Sequence, residues 1–336
     1  NGVRIERCVF ERNWAYGPFV NGGFVYGGGI CAVTSRIEVV SSRFVSNRVT
    51  SASTATRQHG SGGAIAIVDG ELTLEDSEIL DNWVAADYLH GHAYGGGISV
   101  IGSFAARRVV IARNEAGEPS ADSAQRGDGL YLRGAGRLEN ALFFRNGQFA
   151  PAVSGTSNFA VYVESGYLTM DRCTVTDHKQ AGIYRVGGSV VVSNSIFWNN
   201  NMVDIYENVA GNVIPFYTLT EQGFYDGVNG CFSANPRFAD TNFFHLKSRY
   251  GTYMGGWFSG GGWQNMDEDS PAIDAGDPAF FAFMEPFPNG GRVNLGAYGG
   301  TEVASRSPAI AVTNEPASAV SPTTARLNGR ILSIGG

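Results

Sequence analysis

The chain has 336 residues, of which 46 are glycine, 43% are hydrophobic and only 16% are charged. This balance favours stacked strands over helices. The net charge of −7 argues against a nucleic-acid partner, which would need a basic surface, and no apolar run is long enough for a transmembrane helix.

The first residues, from Asn1 to Ile5, show no signal-peptide pattern and resemble the middle of a repeat, so we expect a fragment of a longer polypeptide. Seven segments share one pattern: a small residue, a large apolar residue two positions later, and a polar corner residue three positions after that. The small positions are Cys8, Ser42, Ser77, Val109, Ala141, Cys173 and Ser195. The large apolar positions are Phe10, Phe44, Ile79, Ile111, Phe143, Val175 and Phe197. The corner positions are Asn13, Asn47, Asn82, Asn114, Asn146, His178 and Asn200.

A second strand follows a glycine cluster in each repeat, as at Gly27-Gly28-Gly29. Glycine tolerates the backbone angles of a tight corner. The predicted inward residues are Ile30, Ala64, Ile98, Leu130, Val161, Ile183 and Ile205. Alternation then predicts that the outward residues are Cys31, Ile65, Ser99, Tyr131, Tyr162, Tyr184 and Tyr206.

These repeats predict an all-β fold, a right-handed parallel β-helix solenoid with seven to eight coils. Each coil buries its apolar face only against its neighbours, and the corner asparagines should form a side-chain amide ladder that His178 interrupts. Extra residues always follow the corner asparagine, at 14–26, 48–60, 83–94, 115–126 and 147–157. We therefore expect an insertion wall along one edge of the solenoid.

The four consecutive tyrosines, Tyr131, Tyr162, Tyr184 and Tyr206, predict a tyrosine stripe on the outside of the solenoid. Such a stripe could bind sugar rings through its aromatic faces and hydroxyl groups. Alternatively it only stabilises the sheet, or lies under the aromatic C-terminal segment that contains Phe243, Phe244, Trp257 and Trp263.

The insertion wall supplies further candidate ligand-binding residues: Trp14, Tyr16, Arg57, His59, Trp83, Tyr88, His90, His92 and Tyr94. A polysaccharide cleft beside these aromatic residues is one interpretation. A second is a metal site formed by Asp87, His90 and His92, although two histidines spaced this way form a weak motif. Ordinary loop packing is the third.

Catalysis is the main alternative to binding. A polysaccharide lyase needs a base and a cation that neutralises a uronate carboxylate. The densest acidic patch contains Glu71, Glu75, Asp76 and Glu78, but Arg36, Arg107 and Arg108 flank it on neighbouring coils. Cross-strand ion pairing is therefore expected there, and no catalytic residue is assigned.

The four cysteines show no metal-ligand spacing. Cys8 and Cys173 are predicted to be small core residues that lie too many coils apart to form a disulfide. Cys31 is predicted to face outward, and Cys231 to lie in the cap. All four cysteines are expected to be unpaired.

The C-terminal third contains Asn235-Pro236-Arg237-Phe238, then Ser270-Pro271-Ala272-Ile273-Asp274-Ala275-Gly276-Asp277-Pro278, then Asn289-Gly290-Gly291-Arg292-Val293-Asn294-Leu295-Gly296-Ala297-Tyr298-Gly299-Gly300. This order resembles the closing segment of large secreted or surface β-helix proteins of planctomycete-type bacteria, whose coils are pectate-lyase-like. The resemblance implies the β-helix fold and an extracellular or cell-surface location, but no reaction.

We therefore expect coils over 1–210, final coils and a C-terminal cap over 211–306, and a linker with the start of a fibronectin-like sandwich over 307–336. Asp267, Asp269, Asp274 and Asp277 could hold a Ca²⁺ ion, or Asp274 and Asp277 could cap tight turns. No other cofactor is expected. The expected function is a non-catalytic structural or adhesive module that contacts glycans or other surface-protein subunits, without membrane insertion. The alternative is a lyase or glycoside hydrolase acting on an acidic polysaccharide.

Overall fold

The chain forms a parallel β-solenoid, as its repeats predict. The computed structural model describes residues 2–17, 23–51, 58–86, 91–117, 125–148, 159–201, 203–308 and 311–333. Successive coils stack in parallel register around one apolar core, with seven described strands on the first of its three sides and eight on each of the other two. No helix in these ranges is long and apolar enough to cross a membrane.

The first side, here called the tyrosine sheet, follows the glycine corner. Its strands are Ile30–Val33, the first parts of the long strands Ile65–Leu80, Ile98–Ala112, Leu130–Phe144 and Phe159–Asp171, then Ala181–Arg185 and Val203–Glu207.

The second side, the open sheet, comes next in every coil. It contains Gly2–Glu6, Arg36–Val40, the segments 71–75, 103–107, 135–139 and 167–171 of the long strands, Ser189–Ser193 and Val213–Phe216. Its inward residues, such as Val39, Leu74 and Leu138, are buried in the core.

The third side, the capped sheet, ends at the corner asparagines. It contains Val9–Glu11, Arg43–Val45, segments 78–80, 110–112 and 142–144, Thr174–Thr176, Ile196–Trp198 and Leu219–Thr220. The predicted column from Phe10 to Phe197 is confirmed, because these residues are paired strand to strand.

The asparagine ladder is also confirmed. The Asn13 amide donates to Asn47 at 2.8 Å, and Asn47 donates to Asn82 at 2.9 Å. His178 ends the run of amide-to-amide bonds, but its Nδ1 accepts the backbone N–H of Asn146 instead.

Four of the five predicted insertions stack into a wall of two small parallel sheets, and residues 149–157 of the fifth lie outside the described residues. One contains Trp14–Gly17, Arg48–Ser51, Trp83–Ala85 and Glu115–Ala116; the other contains Gly23–Tyr26, Gln58–Ser61, Ala93–Tyr94 and Gln125–Arg126. Val49, Val84 and Ala93 form an apolar cluster of the wall's own.

The C-terminal cap lies on the capped sheet. A short 3-10 helix, Gly223–Tyr225, places Tyr225 against the end of the core. The strands Thr252–Gly256 and Gly260–Gln264 form an antiparallel hairpin, and Ala311–Ser318 pairs with Arg326–Ser333 in another. Phe244 and Tyr298 pack against Leu142 and Phe144 of the capped sheet.

Two predicted positions were wrong. Ile65 pairs with Ile30 and Ile98, so it faces inward and Ala66 takes the outward place. The reason is that Ala64 occupies the corner position that Gly29 fills in the preceding coil. Cys8 is exposed because it lies in the first coil, where no further described coil covers it; Cys173 is buried as predicted, and all four cysteines are unpaired.

Candidate functional site

The tyrosine stripe exists as a continuous stack. Parallel pairing aligns Tyr131 with Tyr162, Tyr162 with Tyr184, and Tyr184 with Tyr206. The successive ring centroids are 5.8, 5.2 and 5.1 Å apart. These distances suit offset or edge-to-face aromatic contacts, so the stripe holds four coils together.

Most of the stripe is closed to a ligand. Tyr131 and Tyr162 are only 4% and 6% exposed, whereas Tyr206 at the end is 49% exposed. The ring of Phe159 covers the stripe and lies 4.4 Å from Tyr184. The C-terminal aromatic residues do not cover it, because Phe244 and Trp257 pack against the capped sheet instead.

A charged pair that the sequence did not reveal lies over the buried end of the stripe. The Tyr131 hydroxyl donates to Glu164 at 2.6 Å, and Arg126 donates to the same carboxylate oxygen at 3.0 Å. Glu164 is the extra residue of a β-bulge, since Val163 pairs with Leu132 and Ser165 with Arg133. Bulges re-aim side chains in this way. Aligning Tyr131 with Tyr162 in the sequence would have shown the extra residue.

Burial keeps these phenols neutral. It raises the pKa of Tyr162 to about 12 and raises the pKa of Tyr131 further, with the hydrogen bond to Glu164 adding to the Tyr131 shift. Tyr131 therefore remains a hydrogen-bond donor, and its contact with Glu164 is structural.

The wall candidates form two aromatic groups. Trp14 and Tyr16 are exposed, with ring centroids 5.4 Å apart, and the Arg48 guanidinium lies 4.0 Å from the Trp83 ring. Trp14, Arg48 and Trp83 are cross-strand partners in the first three coils of one wall sheet.

The second wall group contains His59, His92 and Tyr94. The two imidazoles stack at 5.0 Å, and the Nδ1 atom of His59 accepts the backbone N–H of His92 at 2.9 Å. Tyr94 continues this group into the stripe, 4.9 Å from Tyr131. The other candidates, Arg57, Tyr88 and His90, with Asp87, lie outside the described residues.

The candidate calcium ligands are divided between separate environments. Asp267 lies near Lys247, at 3.6 Å, and Asp269 near Arg249, at 3.8 Å. Asp277 accepts the backbone N–H of Ala279, which is the predicted turn-capping role. Asp274 is buried in the cap. Within the described ranges, no three histidine, cysteine or acidic residues are grouped as a metal site would require.

The predicted cross-strand ion pairs are confirmed. Arg107 contacts Glu75, and Arg108 donates to Asp76 at 2.7 Å. Two further pairs join Arg36 to Glu71 at 3.7 Å and Arg43 to Glu78 at 2.6 Å. The acidic patch is thus neutralised by arginines of the adjacent coils.

A trough crosses the open sheet beside these ion pairs. Small outward residues, Ser103, Ala105 and Ala135, form its floor between Glu71 and Tyr167. Two adjoining hollows of about 270 and 140 Å³ share Ala105 and Arg137. This trough was not predicted from the sequence, because isolated alanines at outward positions of a strand form no motif.

The side chains around the trough provide an aromatic face, hydroxyl groups and charge. Tyr167 is 56% exposed, and Thr169 lies beside it. Arg137 donates to Glu139 at 3.1 Å and remains 71% exposed at its side chain. This combination can stack on a ring and donate or accept hydrogen bonds along its length.

No protein-family model matches the chain, and neither a curated protein nor a solved structure does so.

Proposed function

We propose that this chain is a rigid, non-catalytic structural or adhesive module of a large extracellular or cell-surface protein, and that its open sheet binds a polysaccharide strand. The observation that carries the proposal is the unequal covering of the three sheets. Phe159 and the wall cover much of the tyrosine sheet, and the cap covers the capped sheet, whereas the trough leaves the open sheet accessible.

The direction of the trough favours a linear ligand. Glu71, Ser103, Ala135 and Tyr167 are cross-strand partners in four successive coils. Three steps of ~4.8 Å make this row about 14 Å long, parallel to the solenoid axis. An extended glycan lying along the axis would meet structurally equivalent positions of successive coils at regular intervals.

The chemistry of the trough suits sugars. The exposed ring of Tyr167 offers a face to sugar C–H groups, while Thr169 and Ser103 offer hydroxyl groups. Arg137 can donate to ring oxygens or to a carboxylate, since its guanidinium uses only part of its five donors on Glu139. Affinity would therefore come from stacking together with a few directed hydrogen bonds.

The carboxylates beside the trough favour binding over catalysis. Glu75 contacts Arg107, and Glu139 contacts both Arg137 and Arg172. These ion pairs engage the carboxylate oxygens that a general base would use to abstract a proton. A lyase acting on an acidic polysaccharide remains the second candidate, because the exposed Arg137 could neutralise a uronate carboxylate.

Affinity electrophoresis against neutral and acidic polysaccharides tests the proposal. Tyr167→Ala should weaken retention by at least about tenfold, the factor that ~1.4 kcal/mol of lost stacking produces. Tyr206→Ala is the matched control, because it removes an exposed tyrosine from a different sheet. Equal retention of both variants and the parent chain would refute binding in the trough. Release of unsaturated uronate product, measured by ultraviolet absorbance, would favour the lyase instead.

A further inference from the structure

The cap carries a concentrated group of exposed aromatic side chains. In the segment 280–287, here called the aromatic loop, Phe283 and Phe287 are 84% and 80% exposed. Phe281 and Met284 are each 64% exposed. Soluble proteins rarely leave several large apolar side chains together in water, and such patches mark interaction surfaces.

The aromatic loop is held in place by the residues between its exposed side chains. Ala282 is buried, and the Oε1 atom of Glu285 accepts the backbone N–H groups of Asn294 and Gly300 at 2.8 and 2.7 Å. The Arg172 guanidinium lies 4.3 Å from the Phe280 ring. The exposed rings thus belong to an anchored segment. Because the segment is already ordered, the entropic cost of binding a partner is lower.

A complementary hollow lies elsewhere on the same chain. This cap cleft, of about 180 Å³, separates the capped sheet from the hairpin of the cap. Leu80, Val110 and Leu142 come from the sheet, and Trp257 and Phe258 come from the cap. An apolar cavity of about 150 Å³ is enough to bind benzene. The cap cleft can therefore accept one phenyl ring.

Trp257, which lines the cap cleft, also has a buried polar atom without a hydrogen-bond partner among the described residues. The indole N–H of Trp257 is shielded from solvent, yet no acceptor lies within reach among the described residues. Leaving a buried donor unpaired is costly.

We infer that a phenylalanine of the aromatic loop, Phe283 foremost, inserts into the cap cleft of a second copy of this chain. The loop and the cleft are different surfaces, so the contact is head-to-tail and can continue from copy to copy. This inference concerns a surface other than the trough and does not depend on polysaccharide binding.

The charged residues of the aromatic loop and the cap cleft favour a protein partner over a membrane. The sequence from Pro278 to Pro288 contains no lysine or arginine, so it offers no cation to anionic lipid headgroups. The charged residues that line the cleft are already paired, Arg113 with Asp81 and Glu78 with Arg43. Neither surface therefore brings an unpaired charge into the contact.

Sedimentation velocity with two complementary variants tests the inference. The loop variant, Phe283→Ser with Phe287→Ser, keeps the cleft; the cleft variant, Val110→Trp, keeps the loop. The parent chain should form larger species as its concentration rises, and each variant alone should lose every species above the monomer. An equimolar mixture should form a one-to-one dimer, because one intact loop and one intact cleft remain. Ser259→Arg, at the exposed edge of the cleft, serves as a second cleft variant if Val110→Trp does not fold.

Three outcomes would overturn the inference. The parent chain could stay monomeric at its highest soluble concentration, or the mixed variants could fail to pair although both are folded by circular dichroism. A closed dimer that survives in both variants would show a different interface. Flotation with phosphatidylcholine–phosphatidylserine vesicles tests for lipid binding instead. If the parent chain were monomeric and floated with the vesicles, and the loop variant did not float, the aromatic loop would be a lipid-binding surface.

Discussion

The Nδ1 atom of His178 accepts the backbone N–H of Asn146 at 3.1 Å, in the place where every other described repeat has an asparagine oxygen. The imidazole is fully buried, and desolvation lowers the pKa of His178 to about 4. The folded protein therefore holds this histidine neutral. The ring can replace the asparagine oxygen of the ladder by accepting this hydrogen bond, but only while Nδ1 stays unprotonated.

Stability at mildly acidic pH should depend on this residue. Below the unfolded pKa of about 6.5 the unfolded chain binds a proton at His178 that the folded chain refuses, so stability falls as pH drops toward about 4. His178→Asn removes this loss. The melting temperatures of the two proteins should diverge as pH falls from about 7 to about 5, by a difference worth about 2 kcal/mol at pH 5. A gap that stays constant with pH would contradict the assignment.

Glu285 should produce the opposite pH dependence. Burial raises its pKa to about 8, so the folded chain keeps the proton while the unfolded chain releases it above about pH 4.5. Stability is therefore lost as pH rises through this window, by about 1.4 kcal/mol per pH unit. Glu285→Gln retains an oxygen for the N–H groups of Asn294 and Gly300. The melting temperature of Glu285→Gln should rise relative to that of the parent chain between pH 5 and pH 8. If the melting temperatures of both proteins changed equally with pH, the raised pKa of Glu285 would be refuted.

The asparagine ladder should matter most inside the stack. The Asn82 amide donates to Phe44, Leu80 and Asn114, and its oxygen accepts from Asn47. Asn82→Ala leaves buried backbone groups unpaired and should cost about 3 kcal/mol in the free energy of unfolding, measured with urea. Asn13→Ala is the control, since the exposed end residue should cost well under half as much. Similar costs at both positions would argue against a cooperative ladder.

The tyrosine stripe should behave as a structural element. Tyr131→Phe removes the hydroxyl that donates to Glu164 while keeping the ring contact with Tyr162. The free energy of unfolding should fall by about 1–3 kcal/mol, because the Glu164 carboxylate loses one of its two hydrogen-bond donors and keeps only Arg126. Polysaccharide retention should not change, since the ring is almost fully covered. Lost retention with unchanged stability would reverse this interpretation.

The repeat pattern predicted what every coil shares. Phe143 and Asn82 were placed correctly because burial and corner bonding impose the same residue types at each turn. Ile65 was misplaced by one position. Ala64 replaces a glycine at the corner, so the strand was predicted to begin one residue too early. The repeat period thus identifies the core residues. A single substitution at a corner is nevertheless enough to reverse the predicted inward and outward positions of one strand.

What distinguishes one coil from the next could not be predicted in the same way. Glu164 is the extra residue that a local bulge introduces into its coil, and its partner Arg126 comes from an insertion. The trough depends on Ala105 and Ala135 being small while Tyr167 beside them is large, a contrast visible only after the strands are aligned across coils. Candidate sites on a solenoid therefore arise from differences between repeats.

The insertion wall has an apolar cluster of its own, formed by residues such as Val49 and Val84, separate from the solenoid core. Changes in loop length at that corner are therefore absorbed locally, without altering how the coils stack. Such a corner is a natural place for sequence drift, and for grafting foreign peptides as a displayed epitope. The coils of the solenoid would keep their spacing, while the insertion wall would gain a new binding surface.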